Sequence, residues 1–270
     1  MPTQLQEEEE SMRKYLIAAV VAMVSALTLT SIAQADDIQS ITTKLTPTKL
    51  PKKTYKPAQI YVEILTGPNS DDPTNPEQPP SAYNTKVNFP TNMKFDTSKA
   101  PKCKGTEAQL QNTTTSQAKT VCGNKSIVSK GSKMPTGPES ETGTSAWVTV
   151  DLPGNDTTLG VPVVVTAFNG TNKNTLYLHS RADSVNNTSV LVGKLKTGKK
   201  APKGYGSQLD VTIPPLLAGA IARFTTTVKA GKYVQARCKA KNEKWRAITT
   251  FENFTSPTVT DDYTSKCKQK

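Results

Sequence analysis

Hydrophobic and polar positions alternate through most of the chain after residue 58. Gln59 to Thr66 reads QIYVEILT, placing Ile60, Val62 and Ile64 on one face, and Lys86 to Phe89 resumes the same period. Further strands are expected at Ala146–Leu152, Val161–Phe168, Thr175–Arg181, Ser189–Lys196, Gln208–Ile213, Ala220–Val228, Tyr233–Cys238 and Trp245–Phe251. Turn signals separate them, among them Pro153-Gly154-Asn155, Asn169-Gly170, Lys196-Thr197-Gly198 and Ala230-Gly231. Val161 to Val165 is almost wholly apolar and reads as a central strand covered on both faces, with Pro162 tolerated near its start. Short strands in close succession without intervening helices predict an all-β fold. The expected architecture is an antiparallel β-sandwich, jelly-roll or Ig-like, of roughly ten or more strands. Only Thr106 to Val121 has helical character, so at most one short helix is expected. Residues 67–81 and 129–144 read as long Pro/Gly loops. Residues 36–57, rich in Thr, Lys and Pro, read as an extended arm, and residues 58–270 as a single sandwich domain.

The N-terminus has a different pattern. Met12-Arg13-Lys14 precedes an apolar stretch from Tyr15 to Leu29, followed by Ala33-Gln34-Ala35 and Asp36-Asp37. A basic n-region, a short apolar run and an A-x-A site describe a signal peptide over residues 1–35, cleaved between Ala35 and Asp36. The apolar run is short for a membrane span, so no transmembrane anchor is expected in the mature form. Acidic Glu7 to Glu10 do not suit an n-region, which points to Met12 as the true start. The expected location is therefore secreted, with retention at the cell surface left open.

Four cysteines follow the cleavage site: Cys103, Cys122, Cys238 and Cys267. An even number in an exported chain reads as two disulfides, with three possible connectivities. The sequence-local pairing, Cys103 with Cys122 and Cys238 with Cys267, is the expected one. Metal sites favour closer C-x-x-C spacing, which is absent.

Composition sharpens this picture. The chain has 270 residues, 35% hydrophobic and 6% aromatic, with 39 threonines. A β-branched polar residue in such excess favours strands, and the composition excludes a coiled coil or a multi-span membrane protein. The full chain carries a net charge of +12; without the first 35 residues it holds 32 basic and 18 acidic residues, a charge of +14. Lysine supplies nearly all of it, since only Arg181, Arg223, Arg237 and Arg246 remain as arginines. Arginine is the residue favoured for reading base edges and phosphates, so no specific nucleic-acid partner is expected. Lysines cluster at 49–56 and 194–203, where they would attract anionic cell-wall or surface polymers, or simply keep the protein soluble.

Catalytic vocabulary is sparse. His179, the single histidine, shares a strand face with Tyr177 and Arg181, opposite Leu176 and Leu178, with Asp183 beyond. That face would suit a general base, although a lone strand histidine is more often a surface or rim residue, which is the other expectation here. No G-x-S-x-G elbow surrounds a serine. Glu63, Asp151, Asp183 and Asp210 lie on or beside strands, where two of them would serve glycoside hydrolysis if folded about 5–10 Å apart. Trp147, Trp245, Tyr177, Tyr205 and Tyr233 would make a sugar platform, or core or rim anchors of the sandwich. Asp71-Asp72 and Asn155-Asp156 lie in loops that suit calcium but lack EF-hand spacing.

Several stretches carry a likeness to a known group: Leu45-Thr46-Pro47-Thr48-Lys49-Leu50-Pro51-Lys52-Lys53, the pair Cys103 and Cys122, Val165 to Gly170 (VTAFNG), Lys203-Gly204-Tyr205-Gly206, and Tyr233 to Cys238 (YVQARC) with Cys267-Lys268-Gln269. In these the chain resembles an uncharacterised family of secreted actinobacterial proteins of the Solirubrobacter type. The resemblance implies secretion and a β-rich fold and brings no catalytic role. The expected function is that of a disulfide-stabilised, non-catalytic extracellular or cell-surface-associated protein, with no catalytic, cofactor or metal residues assigned. The second reading is a secreted carboxylate-dependent hydrolase acting on carbohydrate.

Overall fold

The structure, a computed structural model, describes residues 39–66, 81–130, 144–151, 158–214, 219–228, 233–254 and 257–270. All of them belong to one unit, 37–270. The proposed signal peptide, the Ala35–Asp36 cleavage site, and most of the loops at 67–81 and 129–144 lie outside them. In chain order the strands are β1 (Gln39–Thr46), β2 (Lys49–Leu50), β3 (Lys56–Pro57), β4 (Gln59–Thr66), β5 (Ala82–Pro90) and β6 (Met93–Phe95). Helical turns α1 (Glu107–Leu110) and α2 (Thr115–Cys122) lead to β7 (Ser129–Lys130). Then come β8 (Thr144–Asp151), β9 (Thr158–Asn169), β10 (Thr175–Ala182), β11 (Asn187–Thr197), β12 (Tyr205–Thr212) and β13 (Gly219–Val228). The last three are β14 (Val234–Ala236), β15 (Asn242–Asn253) and β16 (Val259–Gln269).

The fold is all-β and antiparallel, as the alternation predicts. One large sheet runs β1-β4-β13-β8-β9-β10-β11-β12-β5-β15-β16-β2, with β7 paired to β13 and only the β16–β2 step parallel. It curls so that its two halves face one another across a shared core. The edge strands β1 and β16 meet: the Ile41 backbone N–H donates to the Asp261 carboxylate at 2.7 Å. Beside them the side-chain amides of Gln39 and Asn253 bond each other in both directions, at 2.9 Å each. Side chains thus cover backbone groups that an open edge would leave as a template for aggregation. Register keeps apolar residues in rows, as in Ile41↔Ile64 and Leu209↔Val87, and the core draws on Ile41, Leu45, Ile60, Val62, Val87, Phe89 and Trp245.

A second, small sheet, β3-β14-β6, packs at one end. The strand expected over Tyr233–Cys238 narrows there to Val234–Ala236. The Cys238–Cys267 disulfide, Cα atoms 5.7 Å apart, ties the end of β16 to the segment leaving β14. Residues 39–46, read as part of an extended arm, form a full strand against β4, burying Gln39, Ile41, Thr43 and Leu45 on one face.

The helix expected over Thr106 to Val121 is divided in two. Thr106 caps α1 and Thr114 caps α2, each in a Thr-x-x-Gln capping box with Gln109 and Gln117. Asn112 between them sits at φ 65°, where asparagine tolerates the left-handed conformation better than most residues. The Cys103–Cys122 disulfide, Cα atoms 4.0 Å apart, closes this segment into a cap over the outer face of β9 to β11.

Candidate functional site

Strand alternation builds two unlike faces from the same residues. On β10, Leu176 and Leu178 point inward, while Tyr177, His179 and Arg181 face outward beneath the cap.

Inside, the facing strands do not close completely. They leave between them a cavity of about 150 Å³ lined by residues of β4, β5, β6, β9, β10, β11, β12, β13 and β15. Its wall is built from alternating aliphatic residues, among them Ile60, Val62 and Ile64 of β4, Leu191 and Leu195 of β11, and Leu209 and Val211 of β12. From Ile60 to Thr66 at its far end β4 spans about 20 Å. Phe89, Phe95 and Tyr233 stop one end; the ring of Phe95 lies 5.0 Å from that of Phe89 and 6.3 Å from that of Tyr233. Thr66, Ser81, Ala82 and Ile213 border the other. Among the described residues, none lining the cavity is charged. The Thr66 hydroxyl is engaged with the Ile221 carbonyl. The Tyr233 hydroxyl is buried without a hydrogen-bond partner, and burial pushes its phenol well above the ordinary value. Gly193 keeps the wall thin on β11: a Cβ there would lie 3.1 Å from Leu209 Cδ1 and 3.5 Å from Leu176 Cβ.

Outside, the same strands are sealed. His179 is wholly buried, with Nε2 3.1 Å from the Thr113 carbonyl oxygen and 3.0 Å from its hydroxyl. Burial, aided by Arg181, holds its pKa below 6.5. Arg181 donates to Asp183 at 2.8 Å, to Asn186 at 2.6 Å and to Thr188 at 3.1 Å. Asn169, expected only as a turn residue, donates from its amide to the carbonyls of Thr97 and Ala100 at 2.9 and 2.8 Å, and so moors the start of the cap. A histidine so enclosed has no path to a substrate.

Three of the candidate carboxylates, Glu63, Asp183 and Asp210, are engaged by cations. Glu63 accepts from Arg223 at 2.5 Å across β4 and β13, both side chains being mostly buried. Its charge and burial push the neighbouring Tyr61 phenol up to about 12, burial being the larger cause. Burial pulls the carboxyl of Asp210 upward, but bonds from Lys196 at 2.9 Å and Asn84 at 3.1 Å outweigh it and hold the group below its usual value. None of Glu63, Asp183 and Asp210 lines the cavity. Asp151 and Trp147 lie in β8, and Asp71-Asp72 and Asn155-Asp156 fall outside the described residues.

Of the aromatic residues singled out above, Trp245, Tyr233 and Tyr177 do not gather on one platform. Trp245 and Tyr233 belong to the main core, whereas Tyr177 belongs to the cluster under the cap, its hydroxyl 2.7 Å from Thr171 Oγ1. Lys49, Lys52, Lys53 and Lys56 are exposed, as are Lys194, Lys199, Lys200 and Lys203.

No helix among the described residues is long and apolar enough to cross a membrane. Compared with protein families, curated proteins and solved structures, the chain matches none.

Proposed function

We propose that this chain is a secreted, disulfide-stabilised, non-catalytic protein of the cell exterior that holds a small apolar molecule inside its sheet. The apolar cavity carries this reading. A cavity of about 150 Å³ walled mostly by Leu, Ile, Val and Phe has room for a benzene-sized guest, and small-molecule sites are typically apolar and largely preformed. The engagement of Glu63, Asp183 and Asp210 with cations favours binding over carboxylate hydrolysis. The basic, apolar and A-x-A succession before Asp36 supports export, and two disulfides suit an oxidising compartment. The exposed lysines support attraction to anionic surface polymers, of the kind that salt reverses.

Titration of the purified protein with benzene, followed by calorimetry and thermal melting, is expected to give saturable one-to-one binding and a raised melting temperature. Leu178→Phe, which fills the cavity, should abolish both effects while leaving the fold intact. Benzene that binds wild type and Leu178→Phe alike, or neither, overturns the cavity as the site. N-terminal sequencing of protein recovered from the medium, or released from cells by high salt, should begin at Asp36. Full-length protein confined to the cytoplasm overturns export.

A further inference from the structure

The Tyr233 hydroxyl is the one buried polar atom in the described cavity wall that lacks a hydrogen-bond partner. The residue is 6% exposed and sits at the aromatic end, against Phe95. A buried hydroxyl left unpaired is costly, and native proteins seldom leave one so. Its carbonyl, by contrast, is used: Asp96 N–H donates to it at 2.9 Å, and the ring packs edge-on against Phe95. The hydroxyl belongs to a wall that is otherwise mostly aliphatic and aromatic carbon, with Thr66, Ser81, Thr85 and Thr226 its other hydroxyl-bearing residues.

We infer that the natural ligand is a small, neutral, largely apolar molecule bearing one oxygen acceptor, a carbonyl or hydroxyl oxygen, which receives the Tyr233 O–H at the aromatic end of the cavity. The inference rests on the cavity being a binding site and adds the chemistry of its occupant. Neutrality follows from the wall: with no charged residue lining it among those described, an ionised head group would lie unpaired in an apolar setting. A carboxylate is excluded on the same ground. The size follows from the volume, which admits a six-membered ring and little more.

Cyclohexanone and methylenecyclohexane form a matched pair of probes, alike in shape and differing in an oxygen against a CH₂. Both are titrated into wild type and Tyr233→Phe. Removing an unpaired buried hydroxyl leaves the empty protein at least as stable as wild type, so the variant folds. The expected result is that Tyr233→Phe weakens cyclohexanone about tenfold, the worth of one net hydrogen bond, and leaves methylenecyclohexane unchanged. The carbonyl stretch of bound cyclohexanone should lie at lower frequency in wild type than in the variant. If both probes bind but Tyr233→Phe changes them equally, or changes neither, the oxygen-bearing ligand is overturned and the apolar cavity stands. If neither probe binds wild type, the cavity itself is overturned as a site.

Discussion

The two faces of β10 to β11 solve the same problem in opposite ways. Under the cap, buried polar groups tie strand to cap: His179 Nε2 against Thr113, Arg181 in a fork of three acceptors, the Asn169 amide on the carbonyls of Thr97, Ala100 and Pro101. Only His179 Nδ1 and Asn169 Oδ1 of these residues are left without a partner. A disulfide holds that cap down, and Phe168, fully buried, packs beneath it. Across the strand, a few ångströms away, the wall is carbon around a void, with one hydroxyl left over. A protein that tolerates a void inside its core while stapling its outer surface places its stability outside and keeps room within. The outer face therefore reads as structural and the inner face as functional. Each prediction below tests that division.

The largest difference should come from truncation. Phe168→Ala removes a ring from the fully packed outer cluster and should cost about 4 kcal/mol, while Leu178→Ala removes atoms that already border a void and should cost nearer ~2 kcal/mol. Denaturant midpoints of the two variants measure the gap. Equal losses would mean that the inner wall is packed as tightly as the outer cluster.

Next in size is the staple. Replacing Cys103 and Cys122 together by alanine opens a loop of 19 residues' separation and should lower stability by about 3 kcal/mol. Because the cap packs on the outside, proteolysis should cut first between residues 103 and 122, while benzene still raises the melting temperature. Loss of benzene binding alongside the staple would show that the two faces are coupled.

Much of this division is legible in the sequence, and the missing part is instructive. The run Thr175 to Ala182 already sets Leu176 and Leu178 against Tyr177, His179 and Arg181 by parity alone. Parity does not tell which face meets a cap and which meets a void, because that depends on how strands far apart in the sequence curl together. The cysteine pairing is recoverable from local spacing. The partners of Asn169, the Gln39–Asn253 amide pair and the Ile41–Asp261 closure are not, since each joins residues far apart in sequence. Val259 to Gln269 escaped the strand assignment because its residues are mostly polar; its side chains alternate between half-buried and exposed, and it is a strand through its pairing with β15. The segment 36–57 misled through its prolines, although Gln39 to Thr46 carries a clean alternation.

A smaller effect depends on pH. Burial keeps His179 neutral in the folded protein, while in the unfolded chain it takes a proton at the ordinary value of 6.5. The unfolded state therefore binds the proton first, and stability falls as pH drops below about 6.5, by at most ~1.4 kcal/mol per pH unit until the depressed folded value is reached. His179 is the single histidine, so His179→Gln should flatten the profile of melting temperature between pH 7 and 5. Over the same range cyclohexanone affinity should not change, because the described cavity wall carries no group that titrates there. Affinity that follows the histidine would join the two faces into one system.

The finest distinction is drawn by two glycines. At Gly206, a Cβ would meet the Pro90 carbonyl oxygen at 2.8 Å and the Met93 carbonyl oxygen at 3.0 Å, both backbone atoms with nowhere to go. Gly206→Ala should therefore cost about 1–3 kcal/mol through forced displacement. At Gly193 the nearest atom is Leu209 Cδ1 at 3.1 Å, the tip of a side chain that itself borders the cavity and can swing into it. The strain is then relieved by the void, and the entropy that glycine loses on folding is partly recovered, so Gly193→Ala should leave stability within about 0.5 kcal/mol of wild type or raise it slightly. The added methyl and the displaced Leu209 would occupy space that the ligand needs, and benzene should bind more weakly to Gly193→Ala than to wild type. A stable variant with impaired binding separates the two uses of the inner wall. A variant as damaged as Gly206→Ala would instead mean that the wall around Gly193 has no room to give.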